Sequence, residues 1–100
     1  MQNRLECKIF GRVQLVMFRD FAKRKADKLG LLGTVENMDD GAVFVVAEGE
    51  KPKLEEFLKY LKKGPIFAKV SRIETEWFPA TGTFNDFRIL FYSRRRAGEI

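Results

Sequence analysis

Two stretches of this chain repeat their apolar residues at helical spacing while its other apolar runs alternate, which confines the fold to helices packed on one side of a sheet. Phe18, Phe21, Ala22, Ala26 and Leu29 recur every three or four residues across residues 18–29 and give one buried helical face. Lys23, Arg24, Lys25 and Lys28 fall mostly off that face, and Gly30 is suited to end the helix in a left-handed conformation. A second segment starts at Pro52, which the first turn of a helix accommodates. Its apolar residues are Leu54, Phe57, Leu58 and Leu61, and Gly64 and Pro65 stop it.

The alternating runs supply the strands. Leu5, Cys7 and Ile9 occupy one phase of residues 5–10. Residues 31–38 and 42–48 read as a hairpin turned by Asp39, Asp40 and Gly41, because an Asp-Gly pair between apolar runs favours a tight reversal. Residues 68–78 form a longer run whose apolar phase shifts between Val70 and Ile73, and a bulge is expected there. A last strand is expected near residues 84–92. The order is β, α, β, β, α, β with room for a fifth strand, and it predicts an α+β, ferredoxin-like two-layer sandwich with both helices on one sheet face. The domain spans residues 1–92. Residues 93–100, with Arg94, Arg95 and Arg96, lack periodicity and read as a loose charged tail.

Composition narrows function mainly by exclusion. With no histidine, a histidine general base or a histidine-ligated metal site is excluded, and the single cysteine excludes a zinc cluster. Cys7 sits in the apolar phase of the first strand and reads as a small buried hydrophobe. One cysteine and no apolar run of membrane-spanning or secretory character make a cytoplasmic monomer without a membrane anchor the expectation. The formal charge of +5 attracts anions without selecting among them.

The stretch from Gly11 to Arg19, GRVQLVMFR, joins the first strand to the first helix. The first N–H groups of a helix lack intrahelical acceptors and carry the positive end of its dipole, so such a connection can hold an anion. Arg19 adds a planar guanidinium able to grip phosphate or carboxylate with two hydrogen bonds. The same residues also suit a plain connection with a solvated arginine. Asn37, just before Met38, Asp39, Asp40 and Gly41, is equally open to two roles, as a turn former or as a polar site residue.

Residues 9–19 resemble the acylphosphatase signature in their glycine, Val-Gln pair and Phe-Arg pair. Residues 33–49 are similar to that family's second signature at Gly33, Val35, Asn37, Gly41, Val43 and Gly49. The resemblance implies hydrolysis of small acyl phosphates to carboxylate and inorganic phosphate, without metal or organic cofactor. It implies that Arg19 binds the phosphate and that Asn37 positions the attacking water. The loop of Gln14, Leu15, Val16, Met17, Phe18 and Arg19 then binds the substrate, chiefly through backbone amides.

Three positions depart from the family pattern: Leu15 stands where a second glycine is usual, Met17 where a small or aromatic residue is common, and Thr34 where an aromatic follows Gly33. A left-handed backbone at position 15 would cost leucine roughly 1–2 kcal/mol. These departures motivate one alternative, a phosphate-binding domain of the same type with little turnover. A second alternative is a basic RNA-binding module of the same topology, which would need exposed aromatics on the first and third strands; only Phe10 and Phe44 are available, and nucleic acid is not the expected partner.

Overall fold

The computed structural model describes residues 2–91. They form β1 (Gln2–Arg12), α1 (Phe18–Lys28), β2 (Leu32–Asn37), β3 (Val43–Glu50), α2 (Lys51–Lys63), β4 (Lys69–Pro79) and β5 (Phe87–Leu90). The five strands make one sheet in the order β4-β1-β3-β2-β5, antiparallel except for the β2–β5 pair. Both helices pack on the same face, α1 over β2 and β5 and α2 over β3, β4 and β1. This is the expected ferredoxin-like sandwich, with the fifth strand present. Tyr92 and the 93–100 tail, including Arg94, Arg95 and Arg96, lie outside the described residues.

The core is the meeting of the two apolar periodicities. Leu5, Cys7 and Ile9 of β1, Val35 of β2 and Val43, Val45 and Ala47 of β3 are fully buried beneath Ala22 and Ala26 of α1 and Leu54, Phe57 and Leu61 of α2. Phe57 meets Phe87 of β5 edge-on, with ring centroids 6.0 Å apart. Burial pushes the Cys7 thiol up to about 12, so it remains protonated and serves as packing. Gly30 ends α1 as expected: its φ is 71°, its N–H donates to Asp27 O and Leu31 N–H donates to Ala26 O.

The end of β1 and the start of β5 differ from the sequence expectation, each for a local reason. β1 runs on through Gly11 and Arg12, residues expected in the connecting loop, because the register with β4 shifts between Phe10 and Gly11 and leaves Ser71 as the extra residue of a bulge. The bulge lies where the phase of β4 changes. Gly11 has φ 126°, and a Cβ on it would run into the carbonyl oxygen of Lys69. β5 starts at Phe87, not near 84, because the connection of residues 80–86 is held at its start by Gln2 and Glu48, which bind Ala80, Thr81 and Gly82.

Those seven residues join strands at opposite edges of the sheet. Four strand spacings amount to about 19 Å, and the eight residue steps from Pro79 to Phe87 reach about 27 Å when fully extended. A loop with so little slack needs an anchor, and Glu48 provides it. Its carboxylate, 4% exposed, accepts from Thr81 N–H (2.9 Å), the Thr81 hydroxyl (2.8 Å), Gly82 N–H (3.0 Å) and Arg4 Nη1 (3.3 Å). Burial alone would raise this carboxyl, but the Thr81, Gly82 and Arg4 donors outweigh it and hold the group below its ordinary range.

Candidate active site

β1, β2 and β5 all end at the same edge of the sheet, so the β1–α1 loop, Asn37 and the residues after β5 converge there. A cavity of about 420 Å³ at that edge is bordered by Leu15, Met17, Phe18, Arg19, Asn37 and Phe91, with Val13, Asp20 and Ile89 completing its wall. The two side chains singled out in the sequence, Arg19 and Asn37, thus share one cavity.

The loop backbone is built for an anion. Leu15 has φ 60° and Met17 has φ 62°, while Val16 between them is not left-handed. Alternation of this kind turns successive N–H groups toward one concavity. Met17 is the residue before α1, with ψ 28°, and no side chain among the described residues caps the helix. The first backbone bond at this end is Phe21 N–H to Met17 O (3.0 Å). Among the described residues, the N–H groups of Leu15 through Asp20 donate to no protein acceptor. Six such amides beside a helix dipole favour negative charge.

Arg19 is held from the end of β5. Its Nη1 donates to Leu90 O (3.4 Å), and its guanidinium lies over the Phe91 ring, 5.2 Å from the centroid. The remaining N–H donors of the fork have no partner among the described residues and are available to a ligand. Asp20 also borders the cavity, but its carboxylate accepts from Arg24 (3.0 Å), which reduces its repulsion of an anion.

Asn37 ends β2 on the sheet face that carries the helices. Its carboxamide oxygen is buried and has no hydrogen-bond partner among the described residues. An acceptor in that condition costs stability unless a water or ligand satisfies it. Glu36 falls on the opposite face, paired with Phe44 of β3, so its charge is directed away from the Asn37 side.

Gln14 and Val16 have other positions. The Gln14 carboxamide nitrogen donates to Met38 O (2.8 Å) and Ala42 O (2.9 Å), tying the base of the loop to both sides of the β2–β3 turn. This clamp fixes the loop relative to Asn37, one residue before Met38. Val16 packs partly into the core and borders a second, neighbouring groove. Phe18 is buried and borders the cavity.

Sequence reasoning missed the left-handed backbone at Met17, the Gln14 clamp and the contribution of Leu90 and Phe91. A Val-Gln pair carries no signal of what the glutamine will bond. The role of Leu90 and Phe91 depends on β5 pairing with β2, which is a property of topology. As for the RNA-binding alternative, Phe10 is covered by Arg72, 4.1 Å from its centroid, and by Lys8 at 5.2 Å, not open for base stacking.

Comparison with known proteins places the chain in a family. The family model described as Acylphosphatase matches residues 5–89. The acylphosphatase of Dehalococcoides mccartyi strain CBDB1 is 51% identical over 80 residues, covering 79% of this chain and 88% of the relative. That of Thermus thermophilus is 51% identical over 79 residues, covering 79% and 90%. The crystal structure of acylphosphatase from Bacillus subtilis superposes with a TM-score of 0.85 at 36% identity, covering 88% of this chain and 98% of that one.

Proposed function

The chain belongs to the acylphosphatase family, and we propose that it hydrolyses small acyl phosphates at the cavity bordered by Arg19 and Asn37. In this reading the amides of residues 15–20 and the guanidinium of Arg19 bind the phosphate. The Asn37 carboxamide oxygen accepts a hydrogen bond from one water and aims it at phosphorus. The water oxygen bonds to phosphorus as the bond from phosphorus to the acyl oxygen breaks, and the carboxylate leaves with that electron pair. The water's proton passes to a phosphate oxygen, giving inorganic phosphate.

Carboxylate is a good leaving group, so positioning and charge stabilisation supply most of the catalysis. The observation that carries the proposal is the coincidence, in one cavity, of amides unengaged among the described residues, a guanidinium held at Nη1 by Leu90 O and a buried acceptor with no partner among the described residues. In this reading the reaction needs no cofactor, the protein is cytoplasmic, and a monomer suffices because both side chains come from one chain.

The test is phosphate release from benzoyl phosphate, with inorganic phosphate as competitor. The protein is expected to turn over and to be inhibited competitively. Arg19→Ala should lower kcat/KM by about 10²–10³-fold, the range for losing one charge-stabilising donor. Arg19→Lys should recover little, because an ammonium cannot reproduce the fork. Both variants should keep the wild-type circular dichroism spectrum. Undiminished turnover in folded Arg19→Ala would move the site elsewhere.

A further inference from the structure

The cavity is not the only depression at this edge. A groove of about 870 Å³ lies on the other flank of the β1–α1 loop, between Leu15 and Met17 on one side and Ile66 and Phe67 of the α2–β4 connection on the other. All four side chains are large, apolar and exposed, at 97%, 71%, 89% and 73% respectively. Exposed apolar residues are ordinary when scattered, but a contiguous group marks a binding surface. Here two of the four project from left-handed backbone positions, where any side chain is costly.

Leu15 and Met17 border both the cavity and the groove, Asn37 borders only the cavity, and Ile66 and Phe67 border only the groove. The loop is therefore a ridge with the proposed water site on one flank and an apolar trough on the other. Displacement at phosphorus proceeds with attacking and leaving oxygens in line. A water aimed from the Asn37 flank sends the carboxylate off on the opposite flank, across Leu15 and Met17. Building on the hydrolase reading above, we infer that the groove seats the acyl group of the substrate. The preferred substrates are acyl phosphates with a bulky apolar chain or ring, and Leu15, Met17, Ile66 and Phe67 determine that preference. Lys63 at the groove margin adds positive charge that draws the anionic substrate toward the ridge.

The experiment compares kcat/KM for acetyl, butanoyl and hexanoyl phosphate in the wild-type chain and in Ile66→Ser/Phe67→Ser, with Phe67→Ala as a milder second variant. Ile66 and Phe67 are exposed and lie outside the phosphate cradle, so both variants should keep the wild-type melting temperature. A half-buried methylene gives about twofold in binding, so the wild type should favour hexanoyl over acetyl phosphate by at least about tenfold. The double variant should lose most of that preference while its kcat/KM for acetyl phosphate stays within about twofold. Equal rates along the series, or an equal loss for both substrates in the double variant, would overturn the inference and leave the hydrolase reading standing. Failure to hydrolyse any member would overturn the hydrolase reading and the inference with it. Sedimentation of the same samples tests a second copy as occupant: a dimer abolished by Ile66→Ser/Phe67→Ser would assign the groove to self-association instead.

Discussion

Leu15→Gly separates what the loop's shape costs from what its side chain contributes. Leucine at φ 60° bears a strain of roughly 1–2 kcal/mol, which glycine does not. Against that relief, glycine enlarges the unfolded ensemble and gives back about 0.5–1 kcal/mol. The side chain is 97% exposed, so removing it forfeits almost no burial. The net expectation is a stabilisation of about 0.5–1 kcal/mol, which for a domain of this size raises Tm by roughly 2–6 °C. Leu15→Ala is the control, because it removes the same exposed side chain but keeps the Cβ that causes the strain. Its Tm should stay close to wild type.

The assay is thermal unfolding followed by circular dichroism, paired with kinetics on two substrates. With acetyl phosphate, Leu15→Gly should match or exceed the wild type, since the cradle amides do not depend on the side chain. With hexanoyl phosphate it should lose about fivefold, the effect of about 1 kcal/mol of apolar contact with a half-covered leucine. A fall in Tm for Leu15→Gly, or an equal rise for Leu15→Ala, would show that the left-handed turn stores no strain of this size and would refute the reasoning.

Asn37→Ala should lower kcat by about 10²–10³-fold yet leave Tm unchanged or higher, because the buried carboxamide oxygen it removes has no partner among the described residues; a marked loss of stability would mean that the side chain is structural. Glu48→Gln should cost about 1–3 kcal/mol near neutral pH by weakening the anchor of residues 80–82. Because the folded-state pKa of Glu48 lies below its ordinary value of 4.5, its ionised form stabilises the wild type above that pH, and the contribution is lost as pH falls through the folded value. Urea unfolding as pH is lowered below 4.5 should therefore show a decline in the wild type that is shallower in Glu48→Gln, and parallel declines would contradict the assignment. Cys7, with its thiol pushed up to about 12 by burial, should resist a thiol reagent in the native protein at mildly alkaline pH and react on unfolding; rapid native labelling would show that the strand opens.

The parts of the fold that were legible in the sequence are those written in local periodicity. Phe18, Ala22 and Ala26 mark the inner face of α1, Leu54, Phe57 and Leu61 that of α2, and Leu5, Cys7 and Ile9 that of β1, and all nine are buried. The phase shift between Val70 and Ile73 is likewise a bulge at Ser71. Glu48 shows where such reading stops. It shares its face of β3 with Phe44 and Val46, away from the helices, where a charged side chain is expected to reach solvent, yet it is buried with donors from Thr81 and Gly82, more than thirty residues later.

That distant contact reaches the site. Glu48 anchors the loop that crosses from β4 to β5, the anchored loop delivers Phe87 beside Gly33, and pairing with β2 then carries Leu90 and Phe91 to the edge where Arg19 rests on them. Gln14 acts from the other side by holding the cradle to the β2–β3 turn next to Asn37. Residue type and spacing single out Arg19 and Asn37, but the bonds that set their positions come from elements that are neighbours only after folding. An arginine reaching from the first turn of a helix has several rotamers at its disposal. The carbonyl of Leu90 and the ring of Phe91 favour one in which the fork is presented ready, and that lowers the ordering cost on binding phosphate.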